Sequence, residues 1–284
     1  MISEIKKIIM RDGTTIHADI VECGSPIWLV MTHGLGEHCE RHFYLHKLFS
    51  QYFNICIYDL RGHGKSEGKR AYVESFGEFT DDLGEVLNFL KETYSMNKYM
   101  LMGHSMGGLI TSSYMQNKVD HSFYPEKVFL SSPVAAVKGA MGKVFSVSSP
   151  KLLAGLTNIP LSMKLGGLVD LSKLSHDPRV QELYVTDQYN CLKIHTKLIF
   201  EMIAEARNVF SRPLRLNCDG YCSIGTLDGL VESSAVIDFF ESIEKNVKLN
   251  IVKNGFHELH NEVEKYRTQH FDFLKESLMN SIYE

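Results

Sequence analysis

Short apolar runs alternate with amphipathic segments along this chain, and this alternation constrains the fold more than any other feature of the sequence. Continuous apolar runs are typical of strands that are buried on both faces. Strands that alternate with helices form a mostly parallel sheet, and ligands bind beyond the carboxyl ends of its strands. The sequence therefore predicts an α/β fold. The runs lie at 27–31, 54–58, 99–102, 127–130, 214–216 and 249–252.

Two segments, 79–94 and 263–278, carry apolar residues three and four positions apart, as amphipathic helices do. Two extended segments near the amino terminus, 5–10 and 15–22, flank an Asp-Gly turn. They are predicted to form an antiparallel hairpin at one edge of the sheet.

One region interrupts the alternation. From about residue 136 to residue 212 no run is convincing as a strand, and the best helical pattern lies near 193–210. A structureless loop of this length is improbable inside a compact domain. We therefore predict a helical insertion at 136–212 over the carboxyl edge of the sheet, with residues 1–135 and 213–284 forming the core.

Composition and charge narrow the class of protein. The 284 residues are 44% hydrophobic, and 30 Lys and Arg stand against 34 Asp and Glu, a formal net charge of -4. No basic run exceeds a pair, which argues against nucleic acid as a partner. The start of the chain lacks the pattern of a secretory signal, so we expect a cytoplasmic protein.

The six cysteines lack both the paired spacing of a zinc site and the density of a disulfide scaffold. Cys218 and Cys222 form one C-x3-C without a second pair. We therefore expect no metal site.

A serine lies where a strand meets a helix. The run at 99–102 leads into GHSMGG, residues 103–108, and then into a helical pattern. In this context G-x-S-x-G forces a sharp turn that exposes the serine hydroxyl, whereas a glycine-flanked serine in a plain turn lacks the strand and the helix. Ser105 is the candidate nucleophile, and the Met106 amide is placed to bind an oxyanion.

A serine nucleophile needs a histidine base whose tautomer is held by a third group. Among thirteen histidines, His257 follows the last predicted strand and precedes the last helix, in VKNGFHELHNE. A loop at that end of a strand can reach a serine on another such loop. His257 is therefore the candidate base, and His260 is its competitor.

A glycine-containing loop, THGLGEH at 32–38, follows the run at 27–31. Its backbone amides are free to act as donors, and the amide of Leu35 is expected to complete an oxyanion hole with Met106. His33 is expected to be a structural hydrogen-bonding residue. The segment DLRGHGKSEG, 59–68, is expected to fold a tight loop beside the site, because no helix opens on its glycines to bind phosphate.

Two aspartates are candidates for the acid that orients the histidine base. Asp219 and Asp228 both lie between the serine and histidine motifs, so chain order does not separate them. Asp219 follows the run at 214–216 closely, which would place it at the carboxyl edge of the sheet. Asp219-Gly220 is also a common turn pair.

The segments HGLGEH, DLRGHGKSEG, GHSMGG and GFHELHNE resemble, in order and separation, the α/β-hydrolases of the monoacylglycerol lipase and lysophospholipase group, related to the serine aminopeptidases. The resemblance covers nearly the whole chain. It implies an α/β-hydrolase fold with a helical cap between the sixth and seventh strands, matched by the insertion at 136–212. It also implies Ser105 as nucleophile, His257 as base, and the Leu35 and Met106 amides as the oxyanion hole.

The same resemblance favours Asp228 as the acid. Gly225-Thr226-Leu227-Asp228 reproduces the G-x-x-D turn of the group and leads into a helix near Glu232. The interval from Pro213 to Gly225 is longer than is usual in the group.

The resemblance implies a cofactor-independent serine hydrolase that cleaves carboxylic esters of single-chain lipids, monoacylglycerols first, through an acyl-enzyme on Ser105. Lysophospholipase or short-acyl esterase activity is the alternative within this class. An aminopeptidase is less favoured, because no acidic cluster for a free amine is identified. A non-catalytic binding protein of the same fold would not need serine, acid and histidine together.

The apolar residues of the insertion suit one acyl chain, and an exposed apolar face of the cap would contact a membrane surface transiently. An equally good interpretation is that these residues only pack the cap. The sequence does not indicate an oligomeric state.

Overall fold

A central sheet of eight strands, covered by helices on both faces, organises the molecule. The computed structural model describes residues 3–138, 155, 162–167 and 169–280. The strands are β1 (Glu4–Ile9), β2 (Thr15–Val21), β3 (Ile27–Thr32), β4 (Asn54–Tyr58), β5 (Lys98–His104), β6 (Lys127–Ser131), β7 (Lys164–Gly166), β8 (Lys193–His195), β9 (Asp219–Gly225) and β10 (Val247–Val252). The α-helices are α1 (Tyr44–Phe49), α2 (Gly77–Tyr94), α3 (Met106–Asn117), α4 (Pro178–Thr186), α5 (Thr196–Val209), α6 (Ser233–Ser242) and α7 (Glu264–Met279).

The strands of the large sheet follow the order β1-β2-β4-β3-β5-β6-β9-β10. β1 pairs antiparallel with β2, and β2 antiparallel with β4, so the predicted hairpin lies at one edge. The six strands from β4 to β10 in this order run parallel. Because their carboxyl ends share one edge, the loops that leave them meet there.

The central parallel strands β3, β4, β5 and β6 are largely apolar because their side chains alternate between two cores. In β3, Trp28 and Val30 face one core, whereas Leu29 and Met31 face the other. Side chains of α2, α3, α5 and α6 complete the first core, and those of α1 and α7 complete the second. This two-sided burial explains the continuous apolar runs of the sequence.

The run at 214–216 is not a strand, so that prediction was wrong. Leu214 and Leu216 are buried, but they lie in the loop before β9. Leu216 packs over the start of β9, where a Cβ added to Gly220 would lie 3.0 Å from its Cδ1 atom. A buried loop leucine and a buried strand leucine look alike in sequence, and the true strand, DGYCSIG, is rich in small residues.

The chain between β6 and β9 contains α4 and α5, and also β7 and β8, which pair antiparallel. The sequence predicted no strand in this region, because strands of three residues are too short for alternation to be visible. The sequence also predicts that apolar positions at 144–171 form the wall for an acyl chain, and most of these residues lie outside the described residues.

Candidate active site

β5 passes into α3 through a single residue, Ser105, at the carboxyl edge of the sheet. Its φ of 53° and ψ of -118° are sparsely populated for a residue with a side chain. The turn requires close backbone approach, because a Cβ on Gly107 would overlap the carbonyl oxygen of Thr32, and one on Gly103 would overlap that of Gly107. The G-x-S-x-G spacing therefore holds the hydroxyl at the head of α3.

Three of the predicted residues form a hydrogen-bonded chain with His257 at its centre. Ser105 Oγ is 2.9 Å from His257 Nε2, and His257 Nδ1 is 2.6 Å from Asp228 Oδ2. The other Asp228 oxygen accepts the amides of Leu230 and Val231 at 2.8 and 2.9 Å. An ionised carboxylate only accepts, so Nδ1 donates to it and Nε2 is left to accept the serine proton.

Asp219 lies far from this group. It is the first residue of β9, level with Lys127 of β6, whereas Asp228 follows the last residue of β9 by three positions. Because β9 has seven residues, the strand alone separates its two ends by roughly 20 Å. The structure thus brings Asp228, and not Asp219, to His257.

Two opposing effects set the pKa of the His257 imidazole. Burial lowers its pKa, but the charge and hydrogen bond of Asp228 outweigh that penalty, so the pKa is raised above the ordinary 6.5. A raised pKa makes the ring a stronger base and a readier carrier of the serine proton.

The main chain at His257 is held from two directions. Its carbonyl accepts the Ser132 hydroxyl at 2.9 Å, and Ser132 lies just beyond β6. Its N–H donates to Lys173 O at 3.3 Å, and the next N–H, of Glu258, donates to Leu174 O at 2.8 Å. Lys173 and Leu174 belong to the insertion, so the histidine loop, residues 256–263, is bound to both the sheet and the insertion.

The two amides expected to form an oxyanion hole flank Ser105. Met106 is the first residue of α3, and an amide at that position has no acceptor within its own helix. Leu35 lies in the loop after β3 and lines the same cavity as Ser105. Within the described chain neither amide has a hydrogen-bond acceptor.

A buried charged network, which the sequence did not indicate, supports the loop after β3, residues 33–38, named the oxyanion loop for the expected role of Leu35. Glu37 Oε1 accepts the Gly34 amide at 2.5 Å and lies 3.0 Å from His42 Nε2. Arg41 donates to Glu37 Oε2 at 3.2 Å and to the Glu258 carboxylate at 2.7 and 2.5 Å. Burial opposes ionisation of Glu37, but its interaction and hydrogen bond with His42 and the nearby charge of Arg41 hold its pKa well below the ordinary range. The network joins the oxyanion loop to the histidine loop.

His260, the competing base, does not contact Ser105. It is buried against the rings of His42, Tyr44 and His104, and within the described chain neither ring nitrogen has a hydrogen-bond partner. Burial holds the pKa of His260 well below its ordinary value, so the ring is neutral. His260 packs against the His104 ring, and it is His104 that contacts the His257 ring.

His33 has the structural surroundings that its sequence context suggested. Its Nδ1 atom is 2.8 Å from Gly34 O, and its Nε2 atom accepts the Leu60 amide at 2.9 Å. The ring thereby joins the loop after β3 to the loop after β4.

One group in the described chain could offer three metal-ligand atoms. Atoms of His17, Cys39 and Asp59 lie within 4.8 Å of one another. Asp59 already accepts the amides of Cys39 and Lys65, each at 2.7 Å. Burial and the Asp59 charge raise the pKa of the Cys39 thiol, which disfavours the thiolate that a metal would need. These residues therefore shape the Asp59 loop and are not assigned to a metal.

Ser105 and His257 line a cavity of about 390 Å³. Its wall is mainly apolar, with charged groups such as Glu37 and Glu258 near the oxyanion loop. A mostly apolar cavity with a few convergent polar groups is typical of a small-molecule site. The apolar lining includes Val134, Val137, Leu174, Ile199, Met202 and Leu230.

Comparison with known proteins agrees with this geometry. The family model described as serine aminopeptidase, S33, matches residues 27–264. The chain belongs to this serine aminopeptidase family. The chain is also similar to the monoglyceride lipase of Rattus norvegicus, to which it is 29% identical over 246 residues. The aligned residues cover 84% of the chain and 78% of that lipase.

Solved structures extend the comparison. The monoacylglycerol lipase of Paleococcus ferrophilus superposes with a TM-score of 0.78 at 25% identity, covering 91% of the chain and 97% of that structure. A soluble variant of Saccharomyces cerevisiae monoglyceride lipase, bound to a substrate analogue, superposes with a TM-score of 0.80 at 15% identity, covering 97% and 94%, which supports the fold alone.

This member of the serine aminopeptidase family has the α/β-hydrolase fold and is a serine carboxylic ester hydrolase. In the part of the chain that the structure describes, no helix is both long and apolar enough to cross a membrane.

Proposed function

We propose that this protein hydrolyses monoacylglycerols and related single-chain lipid esters through an acyl-enzyme on Ser105. The observation that carries the proposal is the Ser105–His257–Asp228 hydrogen-bonded chain at the wall of a largely apolar cavity. The names of the relatives support the choice of lipid, because monoglyceride lipases are among them.

In the proposed reaction, His257 Nε2 takes the proton of Ser105 as Oγ attacks the ester carbonyl carbon. The Leu35 and Met106 amides stabilise the negative charge that develops on the carbonyl oxygen. His257 then donates its proton to the leaving alcohol, and the C–O ester bond breaks. Water activated by the same imidazole hydrolyses the acyl-enzyme and releases the fatty acid.

The apolar wall supplies the substrate preference. Ile199 and Met202 of α5 and Leu174 of the insertion line the cavity and offer contact for an acyl chain. Each methylene that such a wall removes from water contributes about 0.8 kcal/mol. We propose that the insertion, 136–212, is a cap over the site that supplies part of this wall.

The cap is also the proposed contact with lipid surfaces. Several large apolar side chains in the insertion remain exposed, Met163, Leu183, Val185 and Leu192, at 44–65%. Leu183 and Val185 lie on α4, whose Tyr184 lines the cavity, and exposed apolar side chains there suit transient contact with an aggregate of substrate.

The test uses a fluorophosphonate probe and a panel of purified esters: monoacylglycerols, lysophospholipids and p-nitrophenyl esters, each below and above its critical micelle concentration. We expect the wild-type protein to be labelled at Ser105 and to prefer monoacylglycerols. Ser105→Ala should lose both labelling and hydrolysis while keeping the wild-type melting temperature, because the hydroxyl is needed for chemistry alone.

Near wild-type ester turnover by Ser105→Ala would contradict the nucleophile assignment. A preference for lysophospholipids would move the proposal to the lysophospholipase alternative. Labelling without turnover of any ester in the panel would count against the lipid substrate.

A further inference from the structure

The carboxylate of Glu262 is fully buried five residues after His257, and the mechanism above does not use it. Its two oxygens accept hydrogen bonds from two different parts of the molecule. One set comes from the histidine loop, defined as residues 256–263, and the other from the insertion. A buried carboxylate that lies outside the reaction centre needs such partners, because loss of hydration is otherwise costly.

Within the histidine loop, Glu262 binds both ends. Oε1 accepts the amide of Phe256 at 2.8 Å, and Oε2 accepts the amide of Val263 at 3.0 Å. Phe256 directly precedes His257, and Val263 directly precedes α7. The carboxylate therefore closes the loop that carries the imidazole.

Toward the insertion, Glu262 binds His176 twice. Oε1 is 2.8 Å from His176 Nδ1, and Oε2 accepts the His176 amide at 3.2 Å. The His176 ring stacks on the Phe256 ring with centroids 3.7 Å apart. The neighbouring Ser175 hydroxyl donates to Asn261 O at 2.9 Å.

These contacts adjoin the ones that hold the backbone of His257. Lys173 O and Leu174 O accept the amides of His257 and Glu258, so insertion and histidine loop pair over several consecutive residues. Glu262 lies at the end of this pairing and joins the two segments through one charged group.

We propose that Glu262 is a positioning residue for His257, which holds the imidazole in line with Ser105 and makes that alignment depend on the docked insertion. The inference rests on the proposed function, since it gives His257 the role of base. A glutamine at position 262 would not make the same hydrogen bonds, because its NH2 group would face N–H donors that now meet an oxygen.

The experiment compares three variants with the wild-type protein on p-nitrophenyl acetate, a substrate too short to need the acyl wall. Glu262→Gln removes the charge, and His176→Phe keeps the stacked ring but removes its Nδ1 contact. Glu264→Gln is the matched control, because Glu264 is exposed in the first turn of α7. Active sites are counted by fluorophosphonate titration, so that kcat is expressed per competent site.

We expect Glu262→Gln to lower kcat per titrated site by about 10- to 100-fold, because displacement of a catalytic group by an ångström has effects of that size. KM should stay within about threefold, since substrate contacts are unchanged. His176→Phe should lower kcat in the same way but less, by about 3- to 10-fold. Glu264→Gln should match the wild-type protein.

A merely structural Glu262 would reduce the number of titratable sites or the melting temperature and leave kcat per site unchanged, and that result would overturn the proposal. If Glu262→Gln fails to fold, His176→Phe decides, and an unchanged kcat per site again overturns it. A wild-type protein that the probe does not label would overturn the proposed function itself, which separates the two failures.

Discussion

The buried carboxylate of Asp228 determines which tautomer the His257 imidazole adopts. It is fully buried, and its two oxygens accept from His257 Nδ1 and from the Leu230 and Val231 amides. Asparagine has the same shape, but its NH2 group must face one of these donors. In the favourable arrangement the NH2 group donates to His257 Nδ1, which must then carry no proton. The imidazole proton therefore lies on Nε2, which cannot accept the proton of Ser105.

We therefore expect Asp228→Asn to lower kcat for esters by about 10⁴-fold, the effect seen when a triad acid is neutralised. Asp219→Asn is the control in the same strand region, and it should leave kcat within a few fold of wild type because Asp219 lies at the other end of β9. Steady-state kinetics and a melting curve for each variant measure this. The reverse pattern would transfer the acid role to Asp219.

At the scale of elements, α5 links the insertion to the active site. Ile199 and Met202 lie three residues apart, on one side of α5, and each is buried and lines the cavity. Residues at this spacing are neighbours on a helix surface. The helix therefore presents a continuous apolar stripe to any acyl chain that extends from Ser105.

Met202→Trp adds volume to that stripe and should shorten the acyl chain that fits. We expect kcat/KM for a long-chain monoacylglycerol to fall at least about 10-fold, because a filled cavity excludes the distal methylenes. Hydrolysis of p-nitrophenyl acetate should stay within about threefold of wild type. Asn208→Trp, at an exposed position of α5, is the control, and equal losses on both substrates would show that the stripe does not hold the chain.

At the scale of the whole molecule, many histidines are buried in the neutral form. Burial lowers the pKa of His63 and of His270 to about 3, and it also lowers the pKa of His33, His104 and His260. Below pH 6.5 the unfolded chain binds protons at these positions more readily than the folded protein does. Folding stability is therefore lost as pH falls, by at most about 1.4 kcal/mol per pH unit for each such group.

The contribution of His257 to folding stability has the opposite pH dependence. Its folded pKa is raised, so its contribution to stability is fully present below 6.5 and is lost as pH rises through the raised value. Because eight histidines of the described chain have a lowered pKa and one has a raised pKa, acid should destabilise the protein.

We expect the free energy of unfolding to decrease steadily between pH 7 and pH 5, measured by urea titration at several pH values. His270→Gln should make this decrease shallower, by up to about 1.4 kcal/mol per pH unit at the acid end of this range. His121→Gln, at an exposed position, should leave the slope unchanged. An equal slope in His270→Gln would show that His270 is protonated in the folded state.

The sequence by itself determined the features that depend on neighbouring residues. Continuous apolar runs predicted strands buried on both faces, and the strand–serine–helix order around Ser105 predicted the turn that the structure contains. The G-x-x-D pattern drew attention to Asp228, and the position of His257 after the last strand made it the candidate base. Their catalytic roles stay predictions, but all three side chains meet at one edge of the sheet.

Only the tertiary structure decided what depends on contact between distant segments. Arg41 and Glu258 are 217 positions apart, and His176 and Glu262 are 86 apart, so local pattern carried no sign of either pair. The run at 214–216 was mistaken for a strand because burial, not strand pairing, explains its leucines. Local sequence records which backbone a segment prefers, whereas the order of strands in the sheet decides which loops meet and which charges must be neutralised there.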